Sequence, residues 1–176
     1  MTQQPGKQSA DIEVLPAGPD QQPVLANLLE LYAHDFSEFY HIEPGEDGRF
    51  GYDPLPLYWS EPGRHPFLVR VDGKLAGFVL VKRGSELSGN ETAWDVAACF
   101  VLRGYRRRGI GTHIAHEVWR RFPGLWEVRV MQSNVPARNF WARAISTFTG
   151  DAVPSVRVEK DGKWWTLFTF ESKGIA

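Results

Sequence analysis

Apolar and polar residues follow two spacings along this chain, and each spacing predicts a type of secondary structure. Apolar residues three or four apart predict amphipathic helices, whereas short apolar or alternating runs bounded by turn residues predict strands. The predicted elements are a strand at 12–15, a helix beginning near 23, strands at 67–71, 75–81 and 92–102, a helix at 110–122, a strand at 125–131, a helix at 136–148, and strands at 153–159 and 164–170.

Turn residues connect these elements in a consistent order. Asp72-Gly73 and Asp161-Gly162 each separate two strand-like runs and favour two-residue hairpin turns. The strongly apolar run 92–102 is typical of a strand that is buried on both faces. The segment 34–59 is rich in Gly and Pro and is expected to form short turns and loops. The order predicts an α/β fold, a mixed sheet flanked by helices.

Length and charge restrict the classes of protein that remain. The 176 residues suit one domain, predicted over 11–176 after a disordered tail at 1–10. The net charge of -1 argues against a nucleic-acid-binding surface. No apolar run has the roughly 20 residues of a membrane-spanning helix, and no signal peptide is apparent, so a cytoplasmic location without membrane association is predicted.

A glycine-containing turn follows the buried strand and begins the next helix. Gly109 and Gly111 lack side chains that would keep a ligand away from the backbone, and the amides of a first helical turn have no partner within the helix. The helix dipole and four arginines, at 103, 106, 107 and 108, add positive potential at the same end. The segment therefore predicts a site for a diphosphate.

Two common phosphate motifs do not fit this turn. A dinucleotide-binding fingerprint requires a glycine where the chain has Ile114, and a nucleotide-triphosphate loop requires Gly-Lys followed by Ser or Thr. Both alternatives are therefore disfavoured.

The turn resembles a motif of the GNAT N-acetyltransferase superfamily. The residues from Arg106 to Gly111 fit the pattern Gln/Arg-x-x-Gly-x-Gly/Ala, after an apolar strand and before a helix as in that family. The segment from Asn134 to Trp141 resembles the family's second element, Asn-x-x-Ala-x-x-Phe/Leu-Tyr. The order of elements is similar over 12–170.

The resemblance implies acetyl-CoA as co-substrate and a sheet in which two central parallel strands, here 92–102 and 125–131, splay apart around the pantetheine arm. It implies that backbone groups near Phe100 and Val101 pair with that arm and that Asn134 hydrogen-bonds it or a nearby group. The residues implied for cofactor binding are Phe100, Val101, Arg106, Arg107, Arg108, Gly109, Ile110, Gly111, Thr112 and Asn134.

The sequence departs from the family pattern at both positions that usually transfer protons. Ala98 stands where a Glu or Asp often acts as general base, and Trp141 stands where a Tyr often acts as general acid. Asp95 is the first candidate for a replacement base. Strand alternation places it on the opposite face from Ala98 unless a bulge intervenes, and its alternative role is an ion pair with an arginine.

Substrate contacts are predicted after the first helix, where this family usually forms the substrate wall. Tyr32, Asp35 and Glu38 are the candidates, and Asp35, Glu38 and the neighbouring His34 are further candidates for the base. Aromatic and acidic residues together suit a cationic amine. The alternative is that the aromatic residues of 32–59 pack over the sheet while its acidic residues stay solvated.

Other reactive side chains favour structural roles. Cys99 lies within the apolar strand and is interpreted as a small buried hydrophobic residue rather than a nucleophile. His113 and His116 are assigned to a solvated helix face, with no third ligand for a metal.

The sequence therefore predicts an acyl-CoA-dependent N-acetyltransferase that acts on a small-molecule or peptide amine. A catalytically inactive CoA-binding or sensing module is the alternative, because Ala98 and Trp141 vacate the proton-transfer positions. Trp164 and Trp165 suggest either a partner surface, such as that of a homodimer, or part of the core.

Overall fold

A computed structural model describes residues 10–174. The tail predicted at 1–10 therefore lies outside the described residues, except for Ala10. The strands are β1 (Ile12–Pro16), β2 (Arg64–Val71), β3 (Lys74–Arg83), β4 (Trp94–Val101), β5 (Gly124–Met131), β6 (Ser155–Lys160) and β7 (Lys163–Ser172). The helices are α1 (Gln22–Phe36), α2 (Leu57–Ser60), α3 (Ile110–Arg121) and α4 (Val135–Thr149). Among residues 10–174, no helix is both long and apolar enough to cross a membrane.

The strands form one mixed sheet in the order β1-β2-β3-β4-β5-β7-β6. β4 and β5 are the parallel pair, and the other neighbours are antiparallel. The predicted hairpin turns at Asp72-Gly73 and Asp161-Gly162 are confirmed, with positive φ angles at all four residues. The predicted α/β class is therefore correct, and the element boundaries differ from the prediction by a few residues.

The sheet has a hydrophobic core on each face. On one face, residues of α3 and α4 such as Ile114, Trp119 and Ile145 pack against Trp126 of β5. On the other face, Leu25 of α1 packs with Tyr58 of α2 against β3 and β4. Strands buried between two such layers explain the continuous apolar runs of the sequence.

β4 and β5 separate soon after they meet. Their pairing comprises Trp94 with Trp126 and Asp95 with Glu127, and then it stops, whereas β4 continues to pair with β3 and β5 with β7. The predicted splay of the two central parallel strands is therefore confirmed. It leaves a gap in the middle of the sheet.

A β-bulge in β4 changes which residues share a face. Leu80 of β3 pairs with Ala98 and Val81 pairs with Val96, so Ala97 is an extra residue in β4. Val96 packs in the core beneath α3 and α4, whereas Ala98 packs in the core beneath α1. The bulge therefore brings Asp95 to the same face as Ala98, and simple alternation would have placed it on the opposite face.

The end of β4 is fixed against β3 at the edge of the gap. The amide of Leu102 donates to the carbonyl of Ala76 at 2.8 Å, and a Cβ at Gly77 would lie 2.1 Å from the carbonyl oxygen of Phe100. In an antiparallel ladder, successive residues direct their backbone groups to opposite sides. The amide and carbonyl of Val101 therefore point away from β3, into the gap.

Candidate active site

The turn before α3 presents a series of backbone amides. Arg107 and Gly109 have φ angles of 61° and 78°, and α3 begins at Ile110. No amide from Arg107 to Thr112 donates a hydrogen bond to an acceptor within residues 10–174. This donor set and the adjacent helix terminus fit a diphosphate, as predicted for an anion site.

The two glycines of the turn serve different purposes. A Cβ at Gly109 would contact no atom within 4 Å, so this glycine supplies the left-handed backbone conformation and open space above the amides. A Cβ at Gly111 would lie 3.0 Å from the ring of Phe140 on α4. The small size of Gly111 therefore also lets α4 pack closely against the start of α3.

The arginines beside the turn are held in specific contacts. Arg106 donates from Nε to the carbonyl of Val101 at 2.7 Å and from Nη2 to Asp35 at 2.6 Å, and Arg103 also donates to Asp35 at 2.6 Å. Burial alone would raise the pKa of Asp35, but hydrogen bonds from Arg106 and Arg103 outweigh burial and lower that pKa. Asp35, predicted to bind substrate, is thus ionised and engaged by two guanidinium groups.

A groove of about 670 Å³ runs from the glycine turn to the gap between β4 and β5. We call it the glycine-turn groove. All of the predicted cofactor residues line it except Arg108, and so do all three predicted substrate residues. These are Phe100, Val101, Arg106, Arg107, Gly109, Ile110, Gly111, Thr112, Asn134, Tyr32, Asp35 and Glu38.

A second cavity, of about 690 Å³, meets the groove at the gap. We call it the aromatic cavity, because Tyr40, Phe50, Tyr52 and Trp165 line it together with aliphatic residues. The groove and the cavity share six lining residues, which are Tyr32, Phe36, Cys99, Asn134, Ala137 and Trp141. A ligand in the groove can therefore reach a ligand in the cavity through the gap.

The segment after α1 covers the aromatic cavity. Ser133 donates to the carbonyl of Phe39 at 3.1 Å, and Lys163 of β7 contacts the hydroxyl of Tyr40. Glu30 of α1 accepts hydrogen bonds from the amides of Phe50 and Gly51 at 2.8 Å each. Most acidic residues of this segment, including Glu46, Asp47 and Asp53, are exposed, as the solvated alternative expected.

Two residues of α4 border the gap. Asn134 is the N-cap of α4, and its Oδ1 accepts from the amide of Ala137 at 3.0 Å, which leaves its Nδ2 available to a ligand. Trp141 is 9% exposed and lines both cavities. Its indole N–H can donate a hydrogen bond, but it cannot release a proton near neutral pH.

Cys99 and the helix histidines have structural environments. Burial raises the pKa of the Cys99 thiol to about 12, so the thiol stays protonated and is a poor nucleophile, but Cys99 is half-buried and lines both cavities at the gap. His116 packs between Trp119 and Phe148 and hydrogen-bonds the carbonyl of Ala144 at 2.8 Å. The assignment of His116 to a solvated face is therefore wrong, because α4 covers that face of α3.

No group of three or more His, Cys, Asp or Glu side chains within 10–174 is arranged to hold a metal.

Asp95 lies beside the aromatic cavity in a cluster of charged residues, of which Asp95 and Lys82 are buried. It is 1% exposed, and its Oδ2 lies 3.0 Å from Nη1 of Arg129. Burial raises its pKa to about 6, against the opposing influence of Arg129 and Lys82. Lys82, Glu86 and Arg129 line the cavity, whereas Asp95 does not. The predicted alternative, an ion pair with an arginine, is thus present.

Lys82, Glu86 and Arg129 were not predicted as site residues from the sequence. Glu127 and Arg129 are charged residues at alternate positions of an otherwise apolar strand. Charges in a buried strand need partners, so this pattern could have indicated a polar site on one face of the sheet.

Comparisons with known proteins agree with this architecture. The sequence model of the acetyltransferase (GNAT) family matches residues 25–145, which is more than half of the chain. The chain therefore belongs to the acetyltransferase (GNAT) family. It is an acyl-CoA-dependent N-acetyltransferase whose co-substrate is acetyl-CoA, as the sequence resemblance implied. No functionally curated protein matches its sequence.

Solved structures share the fold at low sequence identity. An acetyltransferase from Thermus thermophilus is similar with a TM-score of 0.66 and 17% identity, over 93% of this chain and 98% of that one. The GNAT domain of PAT from S. lividans gives 0.63 and 16%, over 92% and 90%. NAA60 from Arabidopsis thaliana, in complex with a bisubstrate analogue, gives 0.60 and 20%, over 94% and 100%. At these identities the likeness establishes the fold.

Replacing Gly109 tests the anion site. Gly109→Glu places a carboxylate above the free amides, and we expect it to weaken CoA binding about 10-fold or more through charge repulsion, as measured by calorimetry. Gly109→Ala is the matched control, because it imposes the same backbone strain without the charge. Equal affinities for the two variants would show that the turn does not hold the diphosphate.

Proposed function

We propose that the glycine-turn groove binds acetyl-CoA and that the aromatic cavity binds the acceptor amine. The observation that carries this proposal is the meeting of the two cavities at the gap, where Cys99 of β4 lines both of them. The amides from Arg107 to Thr112 would hold the diphosphate, and Nδ2 of Asn134 would donate to the pantetheine arm. Acetyl-CoA supplies an activated thioester, and the chain supplies orientation and proton transfer.

The acceptor would be a small-molecule or peptide amine. Tyr32 borders both cavities and stacks on Phe36 at 5.8 Å, so its ring would support the acceptor beside the gap. Burial raises the pKa of Tyr32, and its hydroxyl therefore remains a hydrogen-bond donor. Glu38 lines the groove and would contact the ligand at the outer edge of the gap. Asp35 accepts hydrogen bonds from Arg103 and Arg106, so it would hold these two side chains in place and would not contact the amine.

Backbone groups would take over part of the role that acidic and basic side chains usually have in this reaction. Cys99 lines both cavities, and its backbone groups, like those of Val101, point away from β3 into the gap, so the amide of Cys99 would stabilise negative charge on the thioester oxygen. The CoA thiol is a fair leaving group without an acid, because the pKa of a thiol is about 8.5. The substitution of Trp141 for the usual tyrosine is compatible with this chemistry.

Asp95 would serve as the final proton acceptor. Its carboxylate is beside the cavity on the α1 face, and its pKa of about 6 allows both protonation states near neutral pH. It does not line the cavity, so the proton would reach it through an intervening water or side chain.

A cytoplasmic location, a homodimer and the lack of nucleic-acid binding remain parts of this proposal that rest on the sequence alone.

Turnover tests the proposed function directly. With acetyl-CoA and a panel of small amines and peptides, we expect release of free CoA thiol that depends on the amine, with Gly109→Glu enzyme as the control. Binding of acetyl-CoA without turnover of any amine would contradict the proposal and favour the sensing module.

The dependence of activity on pH tests Asp95. Because its carboxylate accepts a proton when ionised, kcat/KM should rise as pH rises through about 6 and level off above it. Asp95→Asn should lose this limb and lower kcat/KM about 100-fold at pH 7, within the range for general bases. Glu127→Gln is the matched control, since it removes a buried carboxylate from the residue paired with Asp95: it should keep the limb but move it to lower pH, because the charge of Glu127 helps to raise the pKa of Asp95. An unchanged limb in Asp95→Asn would exclude Asp95.

A further inference from the structure

A third cavity, of about 180 Å³, adjoins the aromatic cavity. The two share Tyr40, Glu86, Arg129 and Trp165, whereas the third cavity shares no lining residue with the glycine-turn groove. We call it the lysine pocket, and its other lining residues are Leu87, Lys160, Asp161 and Lys163. A ligand in the aromatic cavity can therefore extend into the lysine pocket, away from the groove.

Two lysines of the β6–β7 hairpin line this pocket together. Lys160 and Lys163 are directly opposite each other in the antiparallel register, on either side of the Asp161-Gly162 turn. Side chains at opposite positions of such a pair share one face, and like charges there destabilise the strands. The hairpin therefore holds two ammonium groups close together at a cost in stability.

The two ammonium groups are oriented by neutral oxygen atoms. Lys160 donates to the carbonyl of Glu86, and Lys163 donates to the hydroxyl of Tyr40, with its Nζ 3.9 Å from the centre of that ring. Among residues 10–174, neither lysine forms an ion pair with a carboxylate. Asp161 also lines the pocket, but it is exposed in the turn. The contacts therefore fix the positions of the ammonium groups and leave their charges without a partner.

The other charged side chains next to the lysine pocket neutralise each other. Nη1 of Arg129 lies 3.0 Å from Oδ2 of Asp95 and 3.6 Å from Oε2 of Glu86. The carboxylate of Glu86 also contacts Lys82. Glu86 therefore has two cations of its own, and the positive charge that an anionic ligand can neutralise belongs to the two hairpin lysines.

We propose that the lysine pocket is an anion subsite and that the acceptor is an amine that also carries a carboxylate or phosphate group. This inference rests on the proposed function, which places the amine in the aromatic cavity. The anionic group accepts charge-assisted hydrogen bonds from Lys160 and Lys163 and relieves the repulsion between them. Tyr40 and Trp165 line both cavities and pack against the carbon chain that joins the amine to the anion.

Matched acceptors test the subsite. Values of kcat/KM are compared between ω-amino carboxylates, from glycine to 6-aminohexanoate, and their amides, and between aminoalkyl phosphates and the corresponding amino alcohols. We expect an anionic acceptor of suitable length to exceed its neutral match about 10-fold or more, as a hydrogen bond between charged groups allows. The larger preference identifies the anion as carboxylate or phosphate. Equal values for every anionic acceptor and its neutral match would overturn the inference.

Variants of the lysines locate the preference. Lys160→Gln and Lys163→Gln should each reduce it to less than about 3-fold, whereas Lys163→Arg should retain it because the charge is kept. Lys173→Gln is the matched control, since Lys173 is exposed after the end of β7 and lines none of the three cavities. Only Lys163 contacts Tyr40, so Lys160→Gln removes a charge without disturbing that contact. An undiminished preference in both glutamine variants would overturn the inference.

Binding without acetyl-CoA keeps this inference separate from the proposed function. In the protein alone, at constant ionic strength, at least one of the same anionic acceptors should move the carbon-13 resonances of the Cε atoms of Lys160 and Lys163, and its neutral match should not. Resonances that respond to none of the anions would overturn the inference, even if the enzyme acetylates neutral amines. If they respond but the wild-type protein acetylates no amine, the subsite exists and the proposed function is what fails.

Discussion

The early end of pairing between β4 and β5 is the constraint on which the site depends. Two parallel pairs, at Trp94 and Asp95 of β4, hold the strands together, and beyond them each strand keeps its antiparallel neighbour on the other side. A sheet normally satisfies every buried backbone group through its neighbours. Here the gap leaves such groups for a ligand and for side chains brought from elsewhere in the chain.

The surroundings of the gap are fixed by packing and by local hydrogen bonds. Trp119 and Trp126 belong to a buried aromatic cluster beneath α3 and α4, which holds both helices against the separated strands. Gly111 allows Phe140 to approach the start of α3 closely. The free amides of the turn therefore stay in a fixed position relative to the gap, and acyl transfer requires this kind of preorganisation.

Much of this architecture could be predicted from local sequence. Asp72-Gly73 and Asp161-Gly162 specify their hairpins because few other residues adopt left-handed conformations at low cost. The glycine turn could be recognised from the sequence because its anion site is made of backbone amides and side chains of residues that are adjacent in the chain. The separation of β4 from β5 was predicted from the family resemblance, and the spacing of apolar residues did not indicate it.

The remaining features depend on contacts between distant parts of the chain. The bulge at Ala97 lies within a run of apolar residues, where an extra residue leaves no visible break in the pattern. The face on which Asp95 lies, and hence its pairing with Arg129, could not be predicted without that bulge. Asp35 and Arg106 are 71 residues apart, so their contact has no local signal either.

The backbone amides of the turn and of the strand end can be observed directly by nitrogen-15 NMR during a titration with CoA. The account predicts that the largest shifts and the strongest new protection from hydrogen exchange occur at the amides from Arg107 to Thr112 and at Val101. Shifts concentrated elsewhere, with these amides unchanged at saturation, would contradict it.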